Sequence, residues 1–141
     1  MTHKKDFFDA KYHLSVAERM LKSYEEYPEK RFLVGVINEG ARSAASLIRA
    51  FLIYDEVKKG NLKRFLADVG PKYLNKVTVE NLVKMLEVQK AQKVSRVEFA
   101  KGDKIILLIR GKYRVLTALR IREFIGSIGD AISKFPASIK R

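Results

Sequence analysis

Two sets of residues in this chain are spaced so that they can bind phosphate. Arg42 and Arg49 stand seven residues apart within "NEGARSAASLIRAF" (38–51), with Asn38 four before the first and Ser46 between the two. On a helix these positions share one face, where two guanidinium groups can clamp a phosphate through paired N–H donors. The same spacing also suits ion pairs inside a bundle, to Glu18, Glu39 or Asp55, or pairs across a dimer seam. The second set is Arg110, Lys112, Tyr113 and Arg114, continued by Arg120 and Arg122. Read as helix, Arg110 and Arg114 lie about one turn apart, where like charges repel mildly unless an anion bridges them. Tyr113 beside them offers a ring on which a base can stack. A solvated helix face is the alternative use of these residues.

Catalytic chemistry finds little support. His3 and His13 are the only histidines; His3 is near the terminus, and His13, next to Leu14, reads as a surface or boundary side chain rather than a base. Glu25-Glu26 and Asp55-Glu56 are adjacent pairs, which diverge around a helix axis and so do not form a paired-carboxylate site. The chain has no cysteine, which excludes disulfides, thiolate nucleophiles and Cys-based zinc sites. "KGDK" (101–104) and "RGKY" (110–113) are too short to cradle a phosphate, and no Walker or dinucleotide fingerprint occurs. No catalytic residue, metal or cofactor is expected.

The net charge of +13 is unevenly placed. Residues 1–57 hold nine basic and nine acidic side chains, whereas residues 58–141 hold twenty basic and seven acidic. Such asymmetry suits a side that faces a polyanion; a lysine-rich solvated surface is the plainer reading. With 141 residues, 47% of them hydrophobic, the chain is expected to form a single domain over 1–141 with one core. Its apolar runs, such as "IILLI" at 105–109, fall far short of the ~18–20 residues of a membrane span. The opening "MTHKKDFFDAKYH" has no apolar signal-peptide core, so a cytoplasmic location is expected, with no membrane partner.

Helices must position these residues. Phe7, Ala10, Leu14, Ala17, Leu21 and Tyr24 recur at threes and fours, predicting a helix over about 6–27 that Pro28 ends. A second helix is predicted over about 29–57, with Leu33, Ile37, Gly40, Ala44, Leu47, Phe51 and Tyr54 as its seam. Gly35 and Gly40 each cost about 1 kcal/mol there relative to alanine, which close packing of a neighbouring helix can offset. A short helix over about 62–69 should stop at Gly70-Pro71. Thr78 is the expected cap of a third main helix over about 79–94. A fourth is predicted over about 104–134, with Leu108, Val115, Leu119, Ile125, Ile128 and Ile132 on its apolar side. The fold class is therefore all-α, an up-and-down bundle of four main helices plus one short helix. The alternative is α+β with a hairpin near 94–116, because "VSRVEF" alternates and "IILLIRGKYRVL" is rich in branched residues around Gly111.

The sequence resembles the HEPN family of small nucleotide-binding helical bundles. The likeness is carried by "AKYHLSVAERMLK" before a proline break, by "VINEGARSAASLIRAFLIYDEV", and by "QKAQKVSRVEF" leading to a turn and "RVLTALRIREFIGSIGDAI". It spans roughly residues 6–132. The resemblance implies a bundle that commonly forms homodimers and takes part in RNA or nucleotide transactions. It also implies a partner nucleotidyltransferase in a toxin–antitoxin or defence system. Ribonuclease members carry an arginine followed four to six residues later by a polar residue and histidine. Here the candidate arginines are Arg110 and Arg114; Val115 and Leu119 stand five residues beyond them, and no histidine follows His13. The resemblance thus implies a non-cleaving member. The expected function is RNA or nucleotide binding through Arg42, Arg49, Arg110, Lys112, Tyr113, Arg114, Arg120 and Arg122; the alternatives are docking of that partner enzyme and, third, a ribonuclease using an unconventional base.

Overall fold

The computed structural model describes residues 3–57, 61–94, 99–101, 104–109 and 111–136. Four helices dominate: α1 (His3–Glu26), α2 (Lys30–Tyr54), α5 (Lys76–Val94) and α6 (Ala118–Ser133). Between α2 and α5 lie two short helical pieces, α3 (Leu62–Arg64) and α4 (Gly70–Tyr73), joined by a π-helical turn at Phe65–Val69. Three short strands precede α6: β1 (Phe99–Lys101), β2 (Lys104–Ile109) and β3 (Lys112–Thr117). They form an antiparallel sheet in the order β1-β2-β3. The fold is a helical bundle carrying a small sheet.

The apolar seam of α1 buries in full: Phe7, Ala10, Leu14, Ala17, Leu21 and Tyr24 are its buried residues. They pack on α2, the most enclosed helix, whose Leu33, Ile37, Gly40, Ala44, Leu47 and Phe51 all face inward. The small residues of α2 are explained by what lies against them. A Cβ on Gly40 would stand 2.9 Å from Ile125 Cδ1 and 3.1 Å from Met85 Cε. So α5 and α6 converge on α2 at a point that only a bare backbone leaves open. A Cβ on Gly35 would run into the end of Met20. Ser43 ties α1 to α2 by donating to the Ala10 carbonyl at 2.6 Å. Gly126 on α6, by contrast, has open space around it. Gly126→Ala is expected to raise the unfolding free energy by up to about 1 kcal/mol through helix propensity. Gly40→Ala makes the same propensity gain against overpacking of about 1–3 kcal/mol, for a net loss of about 1 kcal/mol. Urea denaturation of the two variants should therefore move the midpoint in opposite directions.

Three expectations are corrected. The predicted helix over 104–134 begins only at Ala118; residues 104–109 and 112–117 are strands, so the hairpin alternative describes this segment. Their branched residues favour the pleated backbone. Ile109 pairs with Lys112, and Gly111 takes φ 77°, a left-handed conformation suited to a tight hairpin connection. Thr117 then starts α6, its hydroxyl accepting from the Arg120 N–H at 3.1 Å. Val115 and Leu119, expected inside, are 60% and 59% exposed, and the side chain of Leu108 lies outside the described residues. Secondly, the cap of α5 is formed by Asn75, whose side-chain oxygen accepts from the Thr78 N–H at 2.8 Å; Thr78 itself is buried. Thirdly, Gly70-Pro71 does not stop the chain's helical course. Pro71 sits in the first turn of α4, where its missing N–H leaves no bond unmade.

A polar lock holds the far end of α2. Asp55 accepts from Lys72 Nζ at 2.9 and 2.8 Å and from the Tyr73 hydroxyl at 2.6 Å. The Lys72 hydrogen bond, then that of Tyr73, holds the Asp55 carboxyl below its usual range. The bond to Asp55, then burial, pushes Tyr73 up to about 12. A carboxyl depressed on folding stabilises above its unfolded pKa and loses that contribution as pH falls through the folded value. A phenol raised on folding stabilises below about pH 10 and loses its contribution as pH climbs to about 12. The stability difference between wild type and Asp55→Asn should thus be flat near neutrality and shrink at both acid and alkaline extremes, as measured by denaturation across pH.

Candidate nucleic-acid interface

Seven of the eight cationic and aromatic candidates fall into two groups; the eighth, Arg110, lies outside the described residues. The first is held by carboxylates. Arg42 Nη1 donates to Glu39 Oε2 at 2.6 Å, and Glu39 Oε1 also lies 2.7 Å from His13 Nδ1. A carboxylate only accepts, so Nδ1 carries the proton and His13 ties α1 to α2. Arg49 reaches Asp6 at 3.3 Å and Ser46 at 3.1 Å. Arg120 donates to Glu123 at 2.8 Å and to Asn81 at 3.1 Å, and lies 4.6 Å over the Phe124 ring. Arg122 meets Glu25 at 2.5 Å. Each of these four already has an anionic partner, so an incoming phosphate would compete with a carboxylate. Asn38, expected beside Arg42, has its Oδ1 buried without a hydrogen-bond partner.

The second group lies on β3, where Lys112, Tyr113, Arg114 and Val115 are all exposed and Leu116 is the first buried residue. Register explains this. Leu116 pairs with Ile105 and Arg114 with Leu107, and both partners on β2 are fully buried. The even-numbered side of β3 therefore faces the core, with Arg114 at its rim and Lys112 beyond it. Tyr113, 67% exposed, and Val115 stand on the reverse side. Among the described residues, neither the Lys112 nor the Arg114 side chain makes a hydrogen bond or ion pair, and Tyr113 makes no ring contact. β3 is also one of the two outer strands of its sheet, so among the described residues one row of its backbone N–H and C=O groups has no strand partner.

The strand changes the expected geometry. Arg114 lies on a strand rather than a helix, and Arg110 lies outside the described residues. Lys112 and Arg114 instead share a strand face, with Tyr113 projecting from the other. No hydrogen bond or ion pair among the described residues joins this group to Arg42 and Arg49. Two of the four carboxylates that engage the first group are distant in sequence: 43 residues separate Asp6 from Arg49, and 97 separate Glu25 from Arg122. Glu39 was readable as a partner of Arg42 from its spacing of three. Asp6 gave only the signal of an acidic residue in a first helical turn.

Among the described residues, no group of three His, Asp or Glu side chains is placed to hold a metal ion. None of the described helices is long and apolar enough to cross a membrane. No protein-family model, curated protein or solved structure matches this chain.

Proposed function

We propose that the chain binds RNA, or the phosphate group of a nucleotide, without cleaving it, through the projecting β3 segment. The observation that carries this reading is the exposed run Lys112, Tyr113, Arg114, whose cations have no protein partner among the described residues. Unpaired Lys and Arg draw phosphates and release counterions, giving affinity that is weakly dependent on sequence and strongly dependent on salt. The excess of twenty basic over seven acidic residues in 58–141 adds a long-range field of the same sign. Pairing of copies into a homodimer belongs to the same reading. So does a place beside a nucleotidyltransferase in a toxin–antitoxin or defence pair; both rest on the HEPN likeness of 10–22, 36–57 and 89–132. Binding without cleavage fits the leucine at 119, where that likeness would place a ribonuclease's histidine.

The test is a fluorescence titration of the protein against RNA at about 50 mM and about 200 mM salt, where each phosphate contact on a single strand is worth roughly 2.5-fold in affinity. Affinity that falls several-fold between the two supports the reading. Absent or salt-insensitive binding refutes it.

A further inference from the structure

We infer that Tyr113 takes an unpaired base, so that the β3 segment selects single-stranded over double-stranded RNA; this rests on the RNA-binding reading above. Among the described residues, Tyr113 is the most exposed of the large hydrophobic side chains. No ring or cation among the described residues packs against it, and two thirds of it, 67%, is exposed to solvent. Val115 stands two residues along on the same side, 60% exposed, at roughly 6.6 Å by the rise of an extended strand. It pairs across the sheet with the half-buried Ile106. The reverse side of β3 is thus a small apolar shelf, while Lys112 and Arg114 hold the other side of the same strand.

A polynucleotide crossing this outer strand meets cations on one side and an aromatic surface on the other. A single strand satisfies both, because its bases leave the stack and present flat faces to a ring. In an A-form duplex the bases are stacked on each other and the major groove is deep and narrow, so the phenol finds no face to cover. A second copy of this chain is a poorer occupant. Pairing β3 with β3 about a two-fold axis would bring Lys112 and Arg114 of one copy against those of the other, with no carboxylate on the strand to offset them.

The experiment titrates a labelled single-stranded RNA and a duplex of the same sequence with wild type, Tyr113→Ala and Tyr113→Phe, at one salt concentration. Circular dichroism confirms that each variant is folded, as expected for so exposed a residue. Wild type should bind the single strand more tightly. Tyr113→Ala should weaken single-strand binding by roughly 5- to 150-fold, the value of one stacked base, and leave duplex binding within about twofold of wild type. Tyr113→Phe, which keeps the ring, should behave as wild type. Equal binding of both RNAs with a silent Tyr113→Ala overturns this inference alone and leaves the phosphate reading standing. Absence of binding to either RNA overturns both. Loss of self-association in Tyr113→Ala, with RNA binding unchanged, overturns the inference and assigns the face to a second copy.

Discussion

Replacing Phe51 with alanine is expected to lower the unfolding free energy by about 3–5 kcal/mol, the range for a buried aromatic whose cavity does not collapse. Phe51 is fully buried on α2. Its ring centroid lies 5.0 Å from Phe135, 5.4 Å from Tyr73 and 6.1 Å from Phe65. Those neighbours come from the end of α6, from α4 and from the π-helical turn, so three separate segments would have to move together to fill the space. Phe65 and Phe135 are themselves fully buried, and Phe135 is also stacked against Phe7 at 4.7 Å. Moving one ring inward would open a gap behind it. Guanidinium denaturation with the slope held in common gives the value directly. A loss near 1 kcal/mol would mean that this end of the bundle repacks freely.

The second large effect concerns binding. Lys112→Ala/Arg114→Ala should reduce the slope of log affinity against log salt by about 1.4, the value of two phosphate contacts on a single strand. Its stability should stay close to wild type, because neither side chain packs in the core or pairs with a carboxylate. Arg42→Ala/Arg49→Ala should do the reverse. The salt slope is expected to hold, while stability falls by about 1 kcal/mol or less for each half-exposed pair with Glu39 and Asp6 lost. An α2 variant that flattened the salt slope would move the interface to the α1–α2 face.

How much of this was legible in the sequence depended on the range of the interaction that decided it. The α1 seam from Phe7 to Tyr24 was readable because its three-and-four spacing has no competing period. The thin face of α2 was readable as a packing face, since glycine in a helix interior needs a close neighbour to justify it; that Met85 and Ile125 are those neighbours was not. The stretch 104–117 was readable only as a choice. "IILLI" is a short continuous apolar run that fits a buried helix or a two-sided strand equally well. Gly111 and the branched residues favoured the hairpin, but the helical seam of 118–132 extended backwards over them. The charged candidates divided by the same logic. Glu39 and Glu123 stand three residues from Arg42 and Arg120, but the partners of Arg49 and Arg122 are far along the chain, and nothing local in Arg122 announces Glu25. The side chains of Lys112 and Arg114 have no ionic partner among the described residues because their strand runs past the core, a property of the sheet's register.

The central claim is that RNA is held at β3 and not on the α1–α2 face. Its most direct test is an amide chemical-shift titration of isotopically labelled protein with a short single-stranded RNA. The account predicts that the largest perturbations cluster at residues 112–116, with those of 38–49 near zero. Perturbations centred on His13, Arg42 and Arg49, with 112–116 unmoved, would contradict it.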